Sequence, residues 1–293
     1  MKLGKSPAAR GVSLKKGPVR DAPVRALLCV LVTAVAVLVA PVAAAFEPLP
    51  RMAPARAGFD PAALGAALDD LGEAPGIYSV VVVRHGAVVA ERYWQGWPET
   101  LHGLASVTKS VTSTLVGIAV DRGSIPDVDV PMVEYLPAGA RPDDPAKGAI
   151  TIRHLLIMTS GLDYDEDTEW EEWLRAPDQA AYILDRPLAA PPGEVFNYST
   201  PASHLLSIVL TDATGTPTEE LAGDVLFGPL GITEWRWETD HQGYAYGGHG
   251  LWLRTEDMAK FGVLFLRWGV RRAHRVLSTA WIGQAVTLQV DLA

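Results

Sequence analysis

The chain has 293 residues, of which 48% are hydrophobic and 20% are charged, so it is long enough for one large or two modest globular domains. Its net charge of −9 argues against nucleic acid and anionic membrane surfaces as partners. Its single cysteine, Cys29, excludes a disulfide framework and a thiolate metal cluster.

The first 45 residues differ in composition from the rest of the chain. Seven Lys and Arg residues precede or flank an apolar run over residues 26–40, and Ala43-Ala44-Ala45 matches a small-residue cleavage pattern. We therefore predict a signal peptide over residues 1–45 and a secreted or periplasmic protein. The alternative is an uncleaved membrane anchor, since residues 26–46 have about the length that spans a bilayer. Cleavage would remove seven of 25 basic and one of 34 acidic residues, which leaves a net charge of −15.

The first elements after this leader lie in residues 46–100. Asp60-Pro61 is typical of a helix start, because the Asp side chain accepts hydrogen bonds from the first amides and Pro fits the first turn. Two stretches rich in β-branched residues flank His85-Gly86, which predicts a β-hairpin over residues 77–94. We expect a mainly helical part over residues 101–293.

The central predicted element is a helix over residues 103–123. Apolar residues cover most of its circumference, which is typical of a buried helix, and Gly123 provides a C-terminal stop. Ser106 and Lys109 lie one turn apart near its start and therefore on one face. Such a Ser-x-x-Lys pattern places a nucleophile and its base together, although the pattern alone is weak because a second match begins at Ser13 in the leader.

Residues 163–173 form a dense run of acidic and aromatic side chains. One interpretation is a solvated helix face with its two tryptophans packed beneath it, and the other is a flap over a cleft that favours cationic or amide-bearing substrates. Tyr164 and Trp170 are the candidate substrate-binding residues on this run. Further helices are predicted over residues 151–161, 201–215, 217–231, 255–268 and from Ser278 onward, with Thr151 and Thr255 as N-caps.

Residues 191–200 contain a Pro-Pro-Gly turn that delivers Tyr198 just before a predicted helix. A phenol at this place can accept a proton from Ser106 and pass it on to a leaving group, and an ordinary half-buried core tyrosine is the alternative. Thr200 is a third candidate for substrate binding. The seven histidines are scattered and are interpreted as turn or core residues, so we predict no metal site and no cofactor.

Four segments jointly resemble one enzyme family. They read ASVTKS from Ala105, ITIRHLLIMTSGL from Ile150, PGEVFNYS from Pro192 and GGHGLWLRTEDMAKFG from Gly247. In this order they resemble the penicillin-recognising serine hydrolases, in particular the class C β-lactamase-like branch, which includes esterases, D-aminopeptidases and 6-aminohexanoate-dimer hydrolases. The resemblance covers roughly residues 60–285.

The resemblance implies an α+β fold of the β-lactamase/DD-peptidase type, in which a helical domain lies beside an antiparallel sheet. It also implies a serine acyl-enzyme mechanism without a cofactor. Ser106 would be the nucleophile, Lys109 its base partner and Tyr198 the proton shuttle. The expected substrate is a small amide, ester or lactam, with no nucleic acid partner and no stable membrane span after signal cleavage.

Two departures from the family bear on this expectation. Thr200 stands where class C enzymes have an asparagine, so an amide donor for lactam recognition is missing. Family members also continue beyond the helix near Trp281 with strands that carry a Lys-Thr-Gly or similar motif and an oxyanion donor, whereas this sequence reaches Ala293 without them. We interpret Gly247–Gly250 as a glycine turn and not as a substitute for that motif.

These departures leave two hypotheses open. The first is an active serine hydrolase, which the intact set of Ser106, Lys109 and Tyr198 favours. The second is an inactive or merely acylated β-lactam or peptide-binding homologue or fragment. We expect a C-terminally truncated member of weak activity, because loss of one oxyanion donor typically costs about 10²–10³ in rate.

Overall fold

The computed structural model describes residues 47–290. The predicted signal peptide lies outside these residues and stays a prediction. The described strands are β1 (Ser79–Arg84), β2 (Ala87–Tyr93), β3 (Leu101–Gly103), β4 (Arg236–Trp237), β5 (Leu251–Arg254), β6 (Val270–Arg271) and β7 (His274–Arg275). The fold is a mixture of helices and antiparallel sheet, as expected for the α+β class.

Most of the described helices follow the first hairpin. The α-helices are α1 (Pro61–Gly72), α2 (Thr108–Asp121), α3 (Pro145–Gly148), α4 (Ile152–Leu156), α5 (Glu166–Arg175), α6 (Gln179–Asp185), α7 (Thr200–Thr214), α8 (Thr218–Ala222), α9 (Gly228–Leu230), α10 (Thr255–Leu266) and α11 (Thr279–Ala285). A π-helical turn, Gly223–Phe227, joins α8 to α9. The described residues belong to one compact unit, and a subdomain boundary near residue 100 stays a prediction.

The N-terminal helix and hairpin form as predicted. The Asp60 side chain accepts hydrogen bonds from the amides of Ala62 and Ala63 and so caps α1. Strands β1 and β2 pair antiparallel around His85 and Gly86, whose φ angles of 55° and 77° are those of a tight hairpin turn. One face of the hairpin packs on α10, which shields this face from water. Among residues 47–290 the hairpin pairs with no further strand and makes one additional β-bridge, between Val88 and Arg51.

Helices α2 and α7 form the centre of the core. The α2 side chains Val111, Leu115 and Val116 have no exposed surface, and α7 contributes Leu205 and Val209 in the same state. This confirms the expectation of a buried central helix. Its regular part begins at Thr108 and not near residue 103, because a short strand and a separate turn come first.

The part predicted to be mainly helical, residues 101–293, also contains a small sheet that the sequence did not indicate. Strands β3, β5 and β4 form a three-stranded antiparallel sheet, with β5 in the middle. Leu251 and Leu253 of β5 are buried. Strands of two to four residues are too short for the alternation of apolar and polar residues to reveal them in the sequence.

Two predicted helix ends also differ from those observed. The helix capped by Thr151 ends at Leu156 and not at residue 161, because the chain leaves the helical conformation at Met158, whose φ is 58°. Thr255 is the first residue of α10 and does not cap it, since its hydroxyl bonds to Ser79 instead at 2.6 Å. A helix begins at Ser278 as predicted, and the Ser278 side chain caps it by accepting a hydrogen bond from the Trp281 amide. No helix among residues 47–290 is long and apolar enough to cross a membrane.

Candidate active site

A cavity of about 380 Å³ opens where the start of α2 meets α5, α7 and the sheet. The turn before α2, the first residues of α5 and α7, and strand β5 with the glycine-rich segment before it all contribute to its wall. The lining residues are Gly103, Ala105, Ser106, Glu166, Trp170, Thr200, Glu238, His249, Gly250, Leu251 and Trp252. Three predicted site residues, Ser106, Trp170 and Thr200, therefore reach the same cavity from distant parts of the chain.

Ser106 sits in a strained turn at the mouth of α2. A 3-10 turn over Ala105–Val107 connects β3 to the helix, and Ala105 has a φ of 44°, in the left-handed region that non-glycine residues rarely adopt. The amide of Leu104 donates to the Leu251 carbonyl at 2.8 Å, which anchors the turn to β5. This anchored turn presents the Ser106 hydroxyl to the cavity.

The three predicted catalytic residues lie in contact with one another. The Tyr198 hydroxyl donates to Ser106 Oγ at 2.8 Å, and Lys109 Nζ donates to the same oxygen at 3.2 Å. The Lys109 ammonium also lies 4.8 Å from the centre of the Tyr198 ring, where a cation is stabilised by the aromatic face. A serine with a lysine and a phenol at hydrogen-bond distance is an arrangement suited to nucleophilic catalysis.

Lys109 is held by two further acceptors. Its Nζ donates to Thr200 Oγ1 at 2.9 Å and to the Gly248 carbonyl at 2.9 Å. Together with Ser106 these acceptors take all three donors of an ammonium group. The position of the lysine is therefore fixed by α7 and by the segment before β5, as well as by its own helix.

Tyr198 is positioned by the segment that precedes α7. The side-chain amide of Asn197 donates to the carbonyls of Leu162 and Tyr164, and the backbone N–H of Asn197 donates to the Met158 carbonyl at 2.8 Å. Ser199 then caps α7 through its side chain. These bonds place the phenol beside Ser106 with 37% of the residue exposed, so it is not the core tyrosine of the alternative interpretation.

Glu166 is a site residue that the sequence did not single out. Its Oε1 accepts a hydrogen bond of 2.5 Å from the Thr200 hydroxyl, and its Oε2 accepts one of 2.9 Å from the Thr200 amide. Glu166 begins α5 within the acidic run and looks like its neighbours in sequence. Only its contact with a residue 34 positions away distinguishes it.

The acidic run serves as both a helix face and a wall of the cavity. Trp173 is fully buried, as the interpretation of a solvated helix with tryptophans beneath it requires, whereas Trp170 lines the cavity. Tyr164 does not line it and is only 3% exposed, so its position does not support the predicted contact with substrate. Thr200 reaches the cavity wall but is 1% exposed, and its polar atoms bond to Lys109 and Glu166.

The segment Gly247–Gly250 forms a tight turn, and it also contributes directly to the site. His249 lines the cavity, with its ring stacked on Tyr246 at 4.1 Å and edge-on to Trp170 at 5.0 Å. Burial lowers the pKa of His249 to about 4, with further lowering by His204 and Lys109. The imidazole is therefore neutral at physiological pH, and its Nε2 has no hydrogen-bond partner among the described residues.

A buried pair supports this turn from the core side. His204 of α7 and Asp240 are both fully buried and 2.9 Å apart, and His204 Nδ1 accepts from the Gly247 amide. The latter bond assigns the Nε2–H tautomer, which donates to Asp240. Burial alone would raise the pKa of Asp240, but the hydrogen bonds from His204 and from the amides of Tyr244 and Gln242 lower it overall.

Among residues 47–290 no cluster of three or more His, Cys, Asp or Glu side chains has the geometry of a metal site. The reacting groups of the cavity are instead a hydroxyl, an amine, a phenol and a carboxylate. A hydroxyl can act as a nucleophile in acyl transfer, and the other three groups can accept or donate the protons that this transfer requires.

Comparison with known proteins gives concordant matches. The beta-lactamase family model matches residues 64–289. The chain is 28% identical over 222 residues to a 6-aminohexanoate-dimer hydrolase of Paenarthrobacter ureafaciens, covering 69% of this chain and 55% of that protein. It is 30% identical over 184 residues to esterase EstB of Burkholderia gladioli, covering 53% of this chain and 45% of that protein.

The fold has solved counterparts as well. The penicillin-binding protein homologue of Pyrococcus abyssi superposes with a TM-score of 0.61 at 21% identity, covering 80% of this chain and 62% of that one. At this identity the likeness concerns the fold alone. The chain spans about half the length of the curated relatives that it matches.

Proposed function

Because the chain belongs to the beta-lactamase family, we propose that it is a secreted serine hydrolase that cleaves small amides, esters or lactams through an acyl-enzyme on Ser106. The observation that carries this proposal is the position of Ser106 Oγ, which accepts hydrogen bonds from Tyr198 and Lys109 at the wall of a cavity. Relatives of this family include an amide hydrolase and an esterase, which supports hydrolytic chemistry at the coarser level.

The proposed acylation uses each group once. Ser106 Oγ attacks the substrate carbonyl while its proton passes to an uncharged Lys109, and Tyr198 donates its phenol proton to the leaving amine or alcohol. The products of this step are a serine ester, an ammonium and a phenolate. The phenolate lies near the Lys109 cation, which stabilises it.

Deacylation reverses these proton movements. The Tyr198 phenolate removes a proton from water, which attacks the ester carbonyl, and Ser106 leaves with a proton from Lys109. Each residue then returns to its initial state. Tyr198 thus serves both steps, which its hydrogen bond to Ser106 supports.

The cavity supports a small substrate. A volume of about 380 Å³ is near the lower end of typical ligand pockets, which are about 300–1,000 Å³. Trp170 and Trp252 provide aromatic surface, and His249 presents a neutral imidazole. The acidic balance of the chain favours neutral or cationic small molecules over nucleic acid, and the basic and apolar pattern of residues 1–45 supports secretion.

The test is active-site labelling of the purified protein with a fluorophosphonate, followed by intact-mass analysis. We expect one adduct that is absent in Ser106→Ala and retained in Ser110→Ala, which removes an exposed hydroxyl one residue beyond Lys109. Turnover of p-nitrophenyl esters and of a chromogenic lactam then separates the substrate classes. A folded wild-type protein without an adduct, or an adduct that persists in Ser106→Ala, would contradict the proposal.

A further inference from the structure

The contacts of Lys109 raise a question of proton balance. With a proton on each of its three donors, its nitrogen has no lone pair to receive the Ser106 proton. The Tyr198 hydroxyl donates to Ser106 and is also protonated in this arrangement. One proton must therefore leave the trio before Ser106 can be deprotonated.

The structure contains a short path for that proton. Lys109 Nζ donates to Thr200 Oγ1 at 2.9 Å, and the same hydroxyl lies 2.5 Å from Glu166 Oε1. An ionised carboxylate only accepts, so the Thr200 hydroxyl donates to Glu166 and accepts from Lys109. The direction of both hydrogen bonds is thus the direction in which a proton would move.

Glu166 is held for this role by a second bond. Glu166 Oε2 accepts a hydrogen bond from the Thr200 backbone amide at 2.9 Å, so both oxygens of the carboxylate bond to the first residue of α7. Thr200 is almost completely buried, which keeps bulk water away from the hydroxyl in the middle of the path. In such surroundings hydrogen bonds to a carboxylate are stronger than those between neutral groups.

We propose that Glu166 receives the excess proton of Lys109 through the Thr200 hydroxyl and thereby converts Lys109 into the base that Ser106 needs. The Lys109 N–H bond breaks as Thr200 gains that proton, and the original Thr200 proton forms a new O–H bond on Glu166. The ammonium and the carboxylate become an amine and a carboxylic acid, so charge and atoms balance. This inference rests on the proposed acyl-enzyme function of Ser106.

Other charged or titratable groups surround this path from several elements. They are Lys109 from α2, Tyr198 before α7, His249 in the glycine turn, Glu238 directly after β4, and Asp165, Asp167 and Glu169 beside Glu166. Glu238 is occupied by Arg236 and by the Trp252 indole, and Glu169 pairs with Arg186. In the part of the chain that the structure describes, Glu166 is the carboxylate that contacts Lys109 through a single side chain.

A purely structural role for Glu166 makes a different prediction. If Glu166 only held the start of α7 in place, its loss would lower activity by a constant factor at every pH. If it accepts a proton, its loss changes the pH dependence, because Lys109 must then lose its proton to solvent. The two roles are therefore separated by the shape of the pH profile.

The experiment compares Glu166→Gln with wild type in kcat/KM for a p-nitrophenyl ester across a pH series, with folding checked by circular dichroism. We expect a loss of about 10²-fold or more near neutral pH that shrinks as the pH rises. Glu166→Asp should recover part of the activity because it keeps the carboxylate. A Glu166→Gln profile that matches wild type, or that lies below it by a constant factor, would overturn the proposal.

A second pair of variants covers the case in which Glu166→Gln does not fold. Thr200→Ser keeps the hydroxyl and should stay within about tenfold of wild type, whereas Thr200→Val removes it and should reproduce the altered pH profile. Equal activity of these two variants would also overturn the proposal. Labelling of wild-type Ser106 is tested separately. Absence of an adduct would refute the hydrolase function itself. An adduct together with an unchanged Glu166→Gln profile would refute only the proton path.

Discussion

Acidification should destabilise this protein through His249. Burial against Tyr246, Trp170 and Trp173 is the largest cause that lowers the pKa of this imidazole from 6.5 to about 4. Between these two values the unfolded chain binds more protons than the native state, so stability falls as the pH falls from about 6.5 to about 4. Above about pH 6.5 the imidazole is neutral in both the native and the unfolded state, so His249 no longer makes the free energy of unfolding depend on pH.

The magnitude follows from the size of this shift. At about pH 5 the unfolded imidazole is almost fully protonated and the native one is mostly neutral, which corresponds to about 2 kcal/mol relative to neutral pH. The cavity gives solvent partial access to the ring and reduces the penalty of a charge there. We therefore expect about 1–2 kcal/mol to be lost through His249 alone.

Urea unfolding followed by tryptophan fluorescence measures this effect at neutral pH and at about pH 5. The control is His249→Gln, which replaces the imidazole with a side chain that does not titrate. Carboxylates with a lowered pKa, such as those of Asp129 and Asp240, also make the protein less stable in acid. Their contribution is the same in wild type and in His249→Gln, so it cancels when the two pH dependences are subtracted. The same pH dependence in wild type and His249→Gln would refute the reasoning.

Two further pairs of variants test the local geometry by urea unfolding. Ala105→Gly should raise the free energy of unfolding by about 1 kcal/mol, because glycine adopts the positive φ of this position without strain. Val107→Gly in the same turn, where φ is −63°, should lower the free energy of unfolding by about 0.5–1 kcal/mol. Equal losses in the two variants would argue against strain at Ala105. Gly117→Ala should lower it by about 1–3 kcal/mol, because the new methyl group would lie 2.5 Å from the Trp281 ring, whereas Gly262→Ala has free space and should raise it by about 0.5–1 kcal/mol. A gain in both glycine variants would contradict the close packing of α2 against Trp281.

Part of the catalytic centre was predictable because its geometry is local. Ser106 lies in the turn directly before α2 and Lys109 in the first turn of α2, so a separation of three residues is enough to keep them together. The hairpin around His85 and the cap at Asp60 were predictable for the same reason. Tyr198, which is 92 residues from Ser106, was assigned through the order of family motifs and not through spacing.

The acidic run shows where local reasoning fails. Tyr164 and Glu166 are two residues apart among similar neighbours, yet one is buried away from the cavity and the other bonds to Thr200. The short strand β5 gave no periodic signal, although it forms one wall of the site. Its neighbour His249 looked like one of several scattered histidines.

The sequence by itself determined the hairpin, the buried central helix and the closeness of Ser106 to Lys109, since each depends on residues within a turn or a strand. The mixed helical and sheet fold was expected only from the resemblance of four segments to one family. The tertiary structure alone decided what surrounds them. It brought the Gly248 carbonyl, 139 residues from Lys109, to the lysine nitrogen, and it joined Glu166 to Thr200. The physical reason is that these contacts depend on how helices pack, and packing follows from the whole core and not from any one segment of the chain.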